Sequence, residues 1–199
     1  MESPTTILEF WFGHNSDDAV VAETHAALWW SKDSAADAMI KHRFAISVEA
    51  AASGALDAWS ATAAARLALI LLTDQFPRNL HRGSAQSFTY DALARHWCRE
   101  GLQQKTDSQL RPIQCVFLYL PLEHSEELAD QDSSVALFRK LLHEVEPRLR
   151  TLFEGYLDYA LRHREIITRF GRFPHRNEPL GRDSTAAELA FLQEAGSGF

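Results

Sequence analysis

Two short phrases place an arginine in the same setting. The chain reads DQFPRN at 74–79 and RFPHRN at 172–177. In each, an aromatic residue and a proline come before an arginine and an asparagine. A guanidinium presents a planar fork of donors that matches a carboxylate or a phosphate. The repeated phrase predicts that Arg78 and Arg176 turn toward one cavity, with Asp74, Gln75, Asn79 and Asn177 beside them. Arg78 lies four residues after Asp74, so the two pair on one face if the helix persists past Pro77. A structural Asp–Arg pair that closes a helix, a weak ancestral duplication and chance all leave the same trace.

Histidines supply the second kind of chemistry. In LPLEHSEE at 120–127, His124 sits between an apolar helix and an acidic one. Ser125 reads as the cap of the acidic helix. His124 and Glu126 are candidates for an acid/base pair, because a nearby carboxylate raises a histidine pKa. Gln131 follows and suits either a polar ligand or a core hydrogen bond. Further on, His163, Ile166, Ile167 and Phe170 share a helical face, the pattern of a buried histidine. Arg172, His175, Arg176 and Asn177 occupy a loop that Phe173 and Pro174 can anchor. His124, His163 and His175 are thus candidate general acid/base groups, with Asp74 or Glu126 as orienting carboxylate.

These residues must be held by helices. Ser3-Pro4, Asp17 or Ser16, Asp33 or Ser34, and Ser60 or Thr62 are start signals, and Gly54 is a stop. ARLALILLTDQF at 65–76 is apolar nearly all round and predicts a central helix, ended by Pro77 and RNLHRGS. A helix is expected over 89–104, an apolar one after Pro112, and a long acidic one opened by Ser125. Pro147 either starts the next helix or kinks the same one. Thr185 with Glu188 forms a capping box for a last helix that stops at Gly196. No convincing strand, linker or low-complexity segment appears, so the expectation is one helical domain over 1–199, built as stacked hairpins or an orthogonal bundle.

Composition narrows the function class. The 199 residues are 46% hydrophobic with a net charge of −7, which supports a packed core and argues against nucleic acid as a partner. Six arginines nevertheless fall between Arg162 and Arg182 against Glu165 and Glu178. That local cationic segment fits an anionic partner, or arginines that tether the loop to helix ends. Cys98 and Cys115 have no metal-ligand spacing and read as core thiols in a reducing cytoplasm. No leader or membrane span is expected, and no phosphate loop, nucleophile elbow or zinc motif is present, so no metal or cofactor is expected.

Longer strings go beyond generic helix. ILEFWFG (7–13), WW (29–30), LALILLTDQFPRN (67–79), FLYLPLEHSE (117–126), DQDSSVALF (130–138) and HREIITRFGRFPHRNEPLGR (163–182) together resemble a bacterial domain-of-unknown-function family, DUF924, from about Ile7 to Phe199. The resemblance implies an all-α, tetratricopeptide-like fold of about eight to nine helices without a sheet. It implies no activity and supplies no catalytic residues.

Three functions remain from the sequence. The first is a pocket for a small anionic molecule or an acidic peptide end, with charge from Arg78, Arg172 and Arg176. The second is a hydrolase or lyase in the same pocket. The third is a protein–protein adaptor. Homo-oligomerisation is left open.

Overall fold

The computed structural model describes residues 1–194, 196 and 197. Ten α-helices appear among them: α1 (Pro4–Phe12), α2 (Asp18–Trp30), α3 (Ser34–Ala52), α4 (Ala63–Ile70), α5 (Phe76–Leu80), α6 (Asp91–Gln103), α7 (Pro112–Glu123), α8 (Leu128–Glu144), α9 (Arg150–Phe170) and α10 (Ala186–Phe191). No strand occurs among the described residues, so the fold is all-α. None of their helices is long and apolar enough to cross a membrane.

The expected starts hold, and where two residues could serve the structure selects Asp17, Asp33 and Thr62. Ser3, Asp17, Asp33 and Thr62 each accept a backbone N–H of the first turn. Thr185 and Glu188 form the reciprocal capping box of α10. Two expectations need correction here. Ser125 does not open α8, which begins at Leu128; its hydroxyl instead accepts the Glu127 N–H at 3.2 Å. The last helix ends at Phe191, short of Gly196. Phe199, where the family resemblance ends, lies outside the described residues.

Pro77 does not end the central helix either. Leu71–Gln75 forms one turn of π-helix, and α5 follows without a break to Leu80. Proline has no N–H to give the i−4 carbonyl, so the regular ladder must fail there. The wider turn takes up that failure and the chain stays helical. All of 66–77 is buried, as an apolar stretch through the middle of the fold must be.

Around this run, α1 packs on α4, α3 on α5, and α6 lies against both α4 and α7. Helices α7, α8 and α9 pack in sequence order. The N-terminal half does not, so consecutive hairpins describe only part of the arrangement. A main hydrophobic cluster runs from Ile7 to Ala160. A separate small one joins Ile166, Ile167 and Phe173, with Phe170 and Phe191 packed against it. Trp11, Trp29 and Trp97 are core residues, while Trp30 points outward at 49% exposure. Both cysteines are buried, which pushes the Cys115 thiol up to about 12.

Candidate functional site

The π turn places Thr73, Asp74 and Gln75 in the interior. Thr73 donates its hydroxyl back to the Leu69 carbonyl at 2.8 Å. Asp74 is fully buried, and a lone carboxylate there would be costly. Three donors satisfy it: His124 Nδ1 at 2.8 Å, Gln75 Nε2 at 2.6 Å and Arg78 Nη2 at 3.1 Å. Burial alone would raise the Asp74 carboxyl. Its basic neighbours outweigh burial and hold it below the usual carboxylate range.

Arg78 continues the network. Its Nη2 also donates to Asp91 Oδ1 at 2.9 Å, and its Nη1 to the Ser87 carbonyl at 3.2 Å. Asp91 then meets the second echoed arginine, because Arg176 Nη1 donates to Asp91 Oδ2 at 3.1 Å. The guanidinium of Arg176 lies 4.6 Å from the ring centroids of both Phe88 and Phe173. Burial and the nearby charge of Arg78 push the Arg176 pKa down to about 10, which leaves it cationic at neutral pH.

The histidines gather beside these pairs. Asp74 fixes the proton of His124 on Nδ1, so Nε2 carries the lone pair and makes no hydrogen bond among the described residues. The expectation that a carboxylate raises this histidine needs correction. Burial of the ring outweighs Asp74, and the His124 pKa is lowered. The His124 and His163 rings lie 6.3 Å apart. His163 Nδ1 is 2.8 Å from the Tyr159 carbonyl and 3.2 Å from Glu123 Oε1. Burial lowers His163 well below its ordinary value and raises Glu123 to about 8, so this is a contact between neutral groups. The His175 ring lies tilted against Phe173 at 5.6 Å, and burial with the charge of Arg176 lowers it to about 3.

Other predicted residues have different partners. Glu126 does not pair with His124. It accepts the Phe173 N–H at 2.8 Å and two bonds from Arg182, at 2.7 and 2.9 Å. Gln131 donates to the Glu123 and Ser125 carbonyls at 2.6 and 2.7 Å, which clamps the end of α7. Arg172 binds Glu188 through two nitrogens at 2.6 and 2.8 Å. Asn177 reaches Ser184 at 3.0 Å, and Asn79 reaches Asp37 on α3 at 2.8 Å. Sequence reasoning missed Asp91, Phe88, Glu123 and Arg182. Only Asp91 carried a local signal, an acid in the first turn of a helix. Two surface cavities, one between α8 and α9 and one beside α3, contain none of the network residues.

A family model described as a bacterial protein of unknown function, DUF924, matches residues 7–196. The chain belongs to the DUF924 family. It is also similar to a solved structure, that of a protein of unknown function from Agrobacterium tumefaciens. That match has 37% identity and a TM-score of 0.76, and it covers 90% of this chain and 100% of the other. No curated protein matches.

In this DUF924 chain the network combines two chemistries. Arg78 and Arg176 are cations balanced by Asp74 and Asp91 in a water-poor interior. His124 is a neutral base, oriented by a carboxylate in the manner of general-base pairs. Side-chain exposures of 21% for Arg78 and 15% for His124 leave both at the edge of that interior.

Proposed function

We propose that this DUF924 protein binds a small molecule bearing a carboxylate or phosphate at Arg78, Arg176 and His124. The observation that carries the reading is the state of Arg176. A buried guanidinium has five N–H donors to satisfy. This one makes a single hydrogen bond, to Asp91, and its Nε has no partner among the described residues. Arg78 Nε is likewise buried without a partner. Unsatisfied buried donors are costly, and a multidentate acceptor would complete both forks.

Entry requires the 172–182 segment to lift. Its side-chain ties to the body include the partly exposed Arg182–Glu126 pair, the kind of pair worth about 1 kcal/mol or less. The test is a thermal-shift and NMR titration of the full chain with inorganic phosphate and with malonate. The expected result is a rise in melting temperature with one of them, lost in Arg176→Lys, which keeps the charge but not the fork. No shift with either anion in the parent protein, or equal binding by the variant, overturns the reading.

The Asp74–His124 pair favours a second reading, acid/base catalysis on the bound anion. Turnover found with a panel of ester and phosphoester substrates is then expected to fall at least about 100-fold in His124→Asn. Full turnover in that variant would place the chemistry elsewhere.

A further inference from the structure

The cavity beside α3 has a volume of about 450 Å³, within the range of small-ligand sites. Lys41, Glu49, His81, Gln86, Thr89 and Tyr90 all face it, and no side chain among the six makes a hydrogen bond or ion pair among the described residues. Asp37 on the same helix takes two bonds from Arg82 and one from Asn79.

The two charges are placed with regularity. Lys41 and Glu49 are eight residues apart on α3, which separates them by about 12 Å along the helix axis. Ala45 and Val48 lie between them and contribute an apolar floor, and Leu80 on α5 adds to it. Gln86, Thr89 and Tyr90, from the segment between α5 and α6, add amide, hydroxyl and phenol groups to the lining. The cavity therefore offers a cation at one end, a carboxylate at the other, an apolar middle and uncommitted hydrogen-bonding groups along one wall.

We propose that this cavity is a second binding site, for a short zwitterionic peptide with an apolar central residue. An extended tripeptide spans about 10 Å, which the two flexible side chains can bracket. Its terminal carboxylate meets Lys41 and its terminal amine meets Glu49. The central side chain lies on Ala45, Val48 and Leu80, and the backbone amides meet the polar wall. A ligand with a single charge would satisfy one end only and bring its charge toward a like one at the other.

The probe is the tripeptide Ala-Leu-Ala, titrated calorimetrically into the full chain. Its acetylated and amidated form serves as a control. The expected result is saturable binding of the free peptide, weakened at least about tenfold by blocking its ends. Lys41→Glu and Glu49→Lys each weaken it to a similar degree. The double reversal, K41E/E49K, restores binding, because the peptide turns round in the exchanged field. Arg176→Lys leaves it unchanged, since that site is separate. Lys41 and Glu49 are exposed, so each variant is expected to melt within a few degrees of the parent. No saturable binding up to about 10 mM overturns the proposal, as does equal binding of the blocked peptide. Unchanged binding in the single variants overturns it too, and so does failure of the double variant to recover.

Discussion

Arg78 and Arg176 reach the two oxygens of Asp91 from opposite halves of the chain. Removing that carboxylate leaves the buried Arg176 guanidinium without its bonded counter-charge, and Arg78 with Asp74 alone. Asp91→Ala is therefore expected to cost about 3–5 kcal/mol in urea denaturation, and a loss below about 1 kcal/mol would mean that water already screens the pair. The neutral histidines and Glu123 set the pH profile with opposite signs. His124, His163 and His175 are lowered from 6.5, so they take up protons on unfolding but not when folded. Their contribution is complete above 6.5 and is lost as pH falls, for His175 down to about 3. Glu123 is raised from 4.5 to about 8, so its contribution is complete below 4.5 and lost as pH rises to about 8. Between 4.5 and 6.5 three histidines outweigh one glutamate; above 6.5, of these four groups, only Glu123 titrates. Stability is thus expected to peak near pH 6.5 and to fall toward 8. Glu123→Gln should abolish the fall above the peak and leave the acid limb, as melting temperatures across pH will show.

Among the helices, α6 shows how packing reverses a local preference. Gly101 sits in its last turns with an ordinary helical backbone, where alanine normally adds up to about 1 kcal/mol. A Cβ at this position would come within 2.8 Å of Arg66 Cδ and 3.2 Å of Thr106 Oγ1. Arg66 cannot simply swing away. It is 1% exposed and bonds Glu100 and the Ser60 carbonyl at 2.6 Å and Gln104 at 2.7 Å. Gly101→Ala is expected to destabilise by about 1–3 kcal/mol, the range for overpacking. A gain in stability would show that the α4–α6 contact yields freely. The π turn is a comparable compromise: it carries the chain through Pro77 and sets Asp74 toward His124, just past the end of α7.

For the whole molecule, the notable division is between the main core and the small cluster under the 171–191 region. Glu126 joins the two by accepting the Phe173 N–H and binding Arg182. That carboxylate is about half-buried, and Glu126→Gln is expected to cost about 1 kcal/mol or less in global stability. Its larger effect should be local. Trypsin is expected to cut after Arg172, Arg176 or Arg182 several times faster in the variant, with the fragments read by mass spectrometry. Unchanged cleavage would show that Phe173 packing alone holds the segment. The proposed anion site depends on this same freedom, since Arg176 lies inside the segment.

Much of the fold was legible in the residues. Cap candidates at Ser3, Asp17, Asp33 and Thr62, the capping box at Thr185 and the apolar runs at 65–76 and 112–123 are local signals, and helix formation is a local process of i→i+4 bonds. The two echoed arginines could be singled out for the same reason. Their common partner could not. Asp91 is 85 residues from Arg176, and His124 is 50 from Asp74. Nothing in a window of one helix distinguishes Asp74 from Glu126 as the partner of His124, because both stand at plausible positions. Nor could the sequence tell that burial would keep that histidine below its ordinary pKa. Pair choice between distant segments is decided by how the helices pack, and titration by how much water that packing removes. The sequence by itself determined the helices, their buried faces and the charge types available; only the tertiary structure decided which charges meet and which cavities stay lined with uncommitted groups.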